Sequence, residues 1–252
     1  MAMCLLVVIV VEEQRAPPGR QLVGRSVPGV VALVDSSAPV DDIFNGQFCG
    51  GVLVDPDTVL TAAHCVAGRG AGDIDAVVGA NNLCRGKSID GVRSRILTIT
   101  LDPAYNPTND EHDLATIVLA DAFSSGSHRI ALEAAVSTAG VATAFGWGRA
   151  SFGGVPSCGL TSVSIAIDQS GDCAKLIGPV APLVFDPETM ICGSPRAGST
   201  ADTCSGDSGG PLLAGDSEAS AAVLGIVSWG RGCGEGAPGV YARADLLKGH
   251  TP

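Results

Sequence analysis

The feature that most constrains this chain is a long succession of short apolar runs, each stopped within a few residues by Gly, Pro, Asp, Asn or Ser. Val30-Val31-Ala32-Leu33-Val34 stops at Asp35-Ser36-Ser37. Val52-Leu53-Val54 stops at Asp55-Pro56-Asp57, just before Val59-Leu60. The rhythm continues through 76–78, 96–99, 116–119, 141–145, 163–167, 190–191, 211–213, 223–227 and 239–241. Runs this short, bounded by turn signals, read as strands, and many of them in series read as an all-β sandwich or barrel. No long stretch carries a helical period; only Asp172 to Ile177 offers the start of a short helix. The 34 glycines fit a chain with many turns.

The chain has 252 residues, enough for one large domain or two small ones. Ala120 to Ala139 lacks strong strands and could connect two halves. The net charge of −11, with no basic run, argues against a nucleic-acid partner, because phosphate binding needs clustered Lys and Arg. Nine cysteines without a CxxC pair point to disulfides in an oxidising compartment rather than to a zinc site, and the odd number leaves one thiol over, with Cys4 the natural candidate. Cys4 to Val11 is apolar but far shorter than the ~20 residues of a spanning helix. It fits a signal-peptide core, and hence a secreted, extracellular protein with no membrane anchor. Residues 12–26 are rich in Arg, Pro and Gly and read as a linker or propeptide, so that 1–26 forms a leader-like segment.

Three short strings carry chemistry. Gly206-Asp207-Ser208-Gly209-Gly210-Pro211 sets a serine among glycines, where a substrate can approach the backbone. Thr61-Ala62-Ala63-His64-Cys65 puts a histidine at the end of an apolar run, and His112-Asp113-Leu114-Ala115 leads an aspartate into a buried one. Each alone has an ordinary reading: a flexible loop, a satisfied histidine, a turn-forming aspartate. Together they supply a nucleophile, a base to activate it and a group to orient the base. The chain order His, Asp, Ser separates this set from two other arrangements of the same chemistry.

With those strings in hand, the chain from about Val27 to Tyr241 resembles the chymotrypsin and trypsin family. Cys49-Gly50-Gly51, Thr61-Ala62-Ala63-His64-Cys65, Asp113-Leu114-Ala115, Gly146-Trp147-Gly148, Gly206-Asp207-Ser208-Gly209-Gly210-Pro211 and Val227-Ser228-Trp229-Gly230 match in order. The resemblance implies two packed six-stranded antiparallel β-barrels spanning 27–252, one about 27–130 and the other about 131–252, with a short C-terminal helix at most. It implies a serine endopeptidase working through an acyl-enzyme, with His64, Asp113 and Ser208 as catalytic residues and the N–H groups of Gly206 and Ser208 as oxyanion hole. Asp202, six residues before Ser208, matches the acidic pocket floor of trypsin-like members, and Gly230 and Gly239 match the pocket walls; cleavage after Arg or Lys follows. Ser228-Trp229-Gly230 resembles the segment that pairs with the substrate backbone.

The resemblance further implies disulfides Cys49–Cys65, Cys173–Cys192 and Cys204–Cys233; Cys84 and Cys158 either join each other or stay free. It calls for no metal or other cofactor. Its partners are protein or peptide substrates and protein inhibitors of proteases, and its default state is a monomer. Zymogens of this family release an N-terminal amine that pairs with the aspartate before the serine, here Asp207. Leu22-Val23-Gly24-Arg25 is the nearest match to such a terminus, with cleavage near Arg15 or Arg20. If no terminus reaches Asp207, its buried carboxylate needs another partner. A silent relative acting as a binding module and a serine esterase of another fold are the competing readings.

Overall fold

The computed structural model describes residues 20–24, 27–123, 131–132, 140–215 and 222–247. The apolar run 4–11, Cys4, Arg15 and most of the 120–139 connection lie outside them. Every apolar run named above from Val30 onward falls in a strand. β1 (Gln21–Leu22) is followed by β2 (Val30–Asp35), β3 (Gln47–Asp55), β4 (Thr58–Thr61), β5 (Ile74–Val78), β6 (Val92–Leu101) and β7 (Ala115–Leu119). After β8 (Ala131–Leu132) come β9 (Val141–Gly146), β10 (Thr161–Ile167), β11 (Met190–Pro195), β12 (Pro211–Ala214), β13 (Ala222–Gly230) and β14 (Gly239–Arg243). Among the described residues helix is confined to short turns: α1 (Ile43–Gly46), α2 (Ala63–Val66), α3 (Cys173–Ile177), and 3-10 turns that include Ala244–Leu247. The helix start read at Asp172 is α3.

The strands close into two six-stranded antiparallel barrels. The first runs β2-β3-β4-β7-β6-β5, closed by the β2–β5 ladder. The second runs β9-β10-β11-β14-β13-β12 and is closed by pairing of β12 and β10 with β9. Counted from its own first strand, each barrel has the same order, so two copies of one topology are packed together. Closure removes the unpaired edges that an open sheet would expose.

Side-chain alternation explains which faces are inside. β10 alternates buried and half-buried residues along Thr161 to Ile167, the pattern of a strand with one face on the core, whereas β4 is buried throughout. The first barrel's aliphatic core continues across the seam into Phe145, Trp147, Leu160 and Ile226 of the second. A separate cluster around Ile165, Leu212, Leu224 and Tyr241 fills the second barrel.

Arg20 to Val23, expected in the leader, are packed against the second barrel. β1 pairs with β10, Val23 is buried, and its N–H donates to Leu160 O at 2.9 Å. Leu22 and Val23 supply an apolar pair, but the decisive contact is made by Arg20 and is taken up below. Cys84 and Cys158 are joined, with Cα atoms 5.3 Å apart. They tie the loop after β5 to the start of β10 across the seam, next to the hydrogen bonds Leu83 N–H to Cys158 O and Leu160 N–H to Asn81 O.

Candidate active site

Strand β4 delivers Thr61, and the chain turns at once into α2, which carries His64 with Cys65 behind it. Cys65 is bridged to Cys49 on β3, so the turn is pinned at both ends. Asp113 stands two residues before β7. The approach to it is strained: Asp110 and His112 have φ of 53° and 52°, a left-handed region that non-glycine residues adopt at a cost of ~1 kcal/mol or more. That kink turns the Asp113 carboxylate inward, where it is fully buried.

A buried carboxylate needs donors, and Asp113 has three. The His64 backbone N–H donates to Oδ1 at 2.8 Å, His64 Nδ1 lies 2.7 Å from Oδ2, and the Ser228 hydroxyl donates to Oδ2 at 2.5 Å. Ser228 is the bulged residue in the β13–β14 ladder, which slips register between Val227 and Trp229. The bulge re-aims its side chain across the seam. The two contacts to His64 fix its ring and tautomer, and Nε2, at the far side of the ring, lies 3.6 Å from Cys65 Sγ. Burial works against the charged imidazole, yet the hydrogen bond and charge of Asp113, with Asp110 behind, outweigh it and hold the His64 pKa above its ordinary value. Asp110 is itself steadied by the Tyr105 hydroxyl at 3.2 Å.

Ser208 reaches the same place from the second barrel, in the turn between β11 and β12. Gly50 N–H of β3 donates to Ser208 O at 2.7 Å. The approach is so close that a Cβ at Gly209 would meet Gly50 O at 2.5 Å, Thr61 Oγ1 at 2.4 Å and Cys65 Sγ at 3.2 Å. The serine turn is therefore seated on the bridged segment that carries His64. Among the described residues, the Ser208 hydroxyl and the N–H groups of Gly206 and Ser208 have no hydrogen-bond partner in the protein. Gly206 adopts φ of 98°, and its carbonyl accepts from Gln47 Nε2 at 3.0 Å; the preceding peptide, which carries the Gly206 N–H, is held through Ser205 O, which accepts from Arg149 N–H at 2.9 Å.

Beside Ser208 opens a cleft of about 250 Å³, lined by Asp202, Cys204, Ser228, Trp229, Gly230, Cys233 and Gly239 among others. Asp202 lies deep in it, 4% exposed. Its Oδ1 accepts from Thr203 N–H at 2.8 Å, and Gly234 N–H is a second backbone donor. Among the described residues no side-chain cation forms an ion pair with it. Burial pushes its pKa up to about 6, against the pull of those N–H groups and the Arg20 charge. Gly230 and Gly239 face each other across β13 and β14. A Cβ on Gly239 would lie 3.4 Å from Asp202 Oδ1, so any larger residue there would fill the floor. Disulfide Cys204–Cys233 spans the cleft wall, and Cys173–Cys192 braces α3 against β11. Phe152, three-quarters exposed, also lines the cleft; nothing in its string marked it.

The arrangement offers a polarised imidazole, a free hydroxyl, two unpaired N–H groups and an acidic cleft on one seam. Comparison with known proteins gives the family. The Trypsin family profile matches residues 18–248. The chain is 33% identical over 201 residues to a trypsin of Saccharopolyspora erythraea, covering 78% of this chain and 82% of that protein. It is 34% identical over 227 residues to trypsin eta of Drosophila erecta, covering 87% and 81%. It is 30% identical over 225 residues to the vitellin-degrading protease of Bombyx mori, covering 86% and 80%. The chain belongs to the trypsin family of serine proteases. It is a serine-type hydrolase with protein substrates.

Proposed function

We propose that the protein is an endopeptidase that cleaves after Arg or Lys, with Ser208 as nucleophile, His64 as general base and acid, and Asp113 as the group that orients and charges against His64. In this reading Ser208 Oγ attacks the scissile carbonyl carbon while His64 Nε2 takes its proton. The carbonyl oxygen, now an oxyanion, accepts from the Gly206 and Ser208 N–H groups, a contribution worth ~3–4 kcal/mol per donor. His64 then gives the proton to the leaving amine, and water resolves the acyl-enzyme by the same route in reverse. The Ser228 hydroxyl and the His64 backbone N–H hold the Asp113 carboxylate in place.

The observation that carries the specificity is the carboxylate of Asp202, buried in the cleft beside Ser208 with only backbone donors. A charge held there without a cation is unstable by itself, and the guanidinium or ammonium of a substrate side chain completes it. Two glycine walls give a long side chain its passage. Ser228, Trp229 and Gly230, at the open end of β13, would pair with the substrate backbone as an added strand. Gly230 is exposed there, as this role requires.

Four disulfides support an extracellular protein; the same reading takes it as a monomer that meets protein inhibitors through the cleft. Among the described residues no helix is long and apolar enough to cross a membrane. The test is covalent labelling with an organophosphorus probe followed by peptide mapping. Modification of Ser208, lost in His64→Ala, supports the assignment. An unreactive Ser208 in folded protein would remove it and favour a binding module.

A further inference from the structure

Asp207 is 1% exposed, and Arg20, 187 residues away in the chain, is 4% exposed; the two form a buried ion pair through Arg20 Nη2. The rest of the guanidinium is also engaged. Nη1 donates to Gly148 O at 3.0 Å and to Thr161 Oγ1 at 3.1 Å, and Nη2 also reaches Asp202 O at 3.1 Å. Only Nε lacks a partner. Asp207 in turn accepts from Gly148 N–H at 2.8 Å and Cys204 N–H at 2.9 Å. Room for its carboxylate depends on missing side chains: a Cβ at Gly146 or Gly148 would meet Asp207 Oδ1 at 2.2 or 2.6 Å.

One cation thus joins the end of β9, the start of β10 and the 202–207 segment. That segment holds both the floor carboxylate of the cleft and the peptide whose N–H faces the reacting oxygen. Asp207 sits between Gly206 and Ser208, so the direction of its side chain fixes theirs. A carboxylate this buried has little choice without a cation: it must turn toward water and take Gly206 and Ser208 with it.

We propose that Arg20 is a positioning residue whose side chain, rather than a chain-terminal amine, holds Asp207, so that the intact polypeptide assembles the oxyanion site and the acidic cleft without prior cleavage. This rests on the serine endopeptidase reading above. A guanidinium suits the role: its planar fork satisfies several acceptors at once, and it keeps its charge far above the pH at which an α-amine, pKa about 8, becomes neutral.

The test uses the full chain, shown to be uncut by intact-mass measurement before and after assay. Turnover of an Arg peptide amide and titration of active sites with an organophosphorus probe are measured for wild type, Arg20→Lys and Arg20→Gln, from pH 7 to pH 10.5. Wild type is expected to be active uncut and to hold kcat/KM flat to pH 10. Arg20→Gln is expected to lose at least about 100-fold, and Arg20→Lys to recover part of it. Treatment with cyanate, which blocks α-amines and spares guanidinium groups, done with Ser208 shielded by a saturating reversible amidine inhibitor that is then removed, is expected to leave wild type unchanged. The wild-type pH profile and the cyanate treatment need no variant, so they hold even if Arg20→Gln does not fold. Arg20→Gln within threefold of wild type, a fall in wild-type activity near pH 8–9, or inactivation by cyanate would each overturn the proposal. An uncut chain that is silent until cleaved near Arg15 or Arg20 would overturn it and leave the endopeptidase reading standing. Silence both before and after cleavage would overturn both.

Discussion

In the first barrel, the groups of the candidate site stand at the ends of a ladder: His64 one turn beyond β4, Asp113 just ahead of β7, with β4 and β7 paired to each other from Thr61 to Thr58. Behind them is an aliphatic core whose members include Val31, Leu53, Leu60 and Ile117, all with no exposed surface. In the second barrel the corresponding groups lie on turns and not on strands. Ser208 and Asp202 belong to the segment between β11 and β12, and that segment is held by the Arg20–Asp207 pair and the Cys204–Cys233 bridge. Two barrels with one strand order therefore hold their parts of the site by different means. Apolar packing is dense and carries no titrating group. Buried charge depends on a single partner, and removing that partner is expensive. The half of the site to which the proposal gives substrate recognition is thus the half that one substitution can disassemble.

The largest expected effect breaks the link between the halves. Asp113→Asn keeps the shape of the site but offers an N–H to an imidazole that also needs to donate. The expected loss in kcat is ~10⁴-fold, with the thermal transition unchanged within a few degrees. A loss below tenfold would mean that Asp113 only packs.

Asp202→Asn sharpens the contrast because its effects on activity and on stability have opposite signs. Loss of the floor charge is expected to lower kcat/KM for Arg and Lys substrates by ~10²–10³ or more, the scale of an unpaired buried cation. Stability moves the other way. With a folded pKa near 6 against an ordinary 3.8, Asp202 favours the fold when protonated, and that contribution is lost as pH rises from about 4 through about 6. Asp202→Asn is therefore expected to be more stable than wild type by about 1–3 kcal/mol at pH 8, the gap closing below pH 4, as read by denaturant unfolding.

How much of this was legible differs between the halves in the same way. The strands announced themselves, because a short β-branched run between turn residues has few other uses. The exception is the start of β3, Gln47-Phe48-Cys49-Gly50-Gly51, whose glycines hide a strand that must let the Ser208 turn come close. The strings around His64, Asp113 and Ser208 were legible because each is local. Arg20 was not: its string reads as polar linker, and nothing near it in sequence reveals an acceptor 187 residues away. The need for a partner at Asp207 was foreseeable, but its identity was not. Ser228 was read for its backbone, and its hydroxyl contact to Asp113 depends on a bulge that no residue pattern marks. Asp110 and Gln47 are likewise visible only once the chain is folded.

The Cys84–Cys158 bridge tests the seam itself. Replacing both by Ser is expected to cost about 2–4 kcal/mol of stability, since the bridge closes a 74-residue span, and to leave kcat within twofold. A change in KM for Arg substrates would mean that the seam also shapes the cleft.

The smallest effect is in the pH profile. His64, raised above its ordinary value, must be neutral to act, and Asp202 near 6 must be ionised to recognise a cation. In the free enzyme, log kcat/KM for an Arg substrate should fall with a slope approaching two below pH 6. A bound cation keeps Asp202 ionised, so log kcat should fall with a slope of one. Equal slopes would separate Asp202 from recognition.

The most direct measurement is turnover of a matched set of peptide amides bearing Arg, Lys, Phe or Ala before the scissile bond, by wild type, Asp202→Asn and a Ser208→Ala control. Turnover confined to Arg and Lys, weakened by Asp202→Asn and absent in the control, is the predicted result. Preference for Phe or Ala, or turnover that survives Ser208→Ala, would contradict the account.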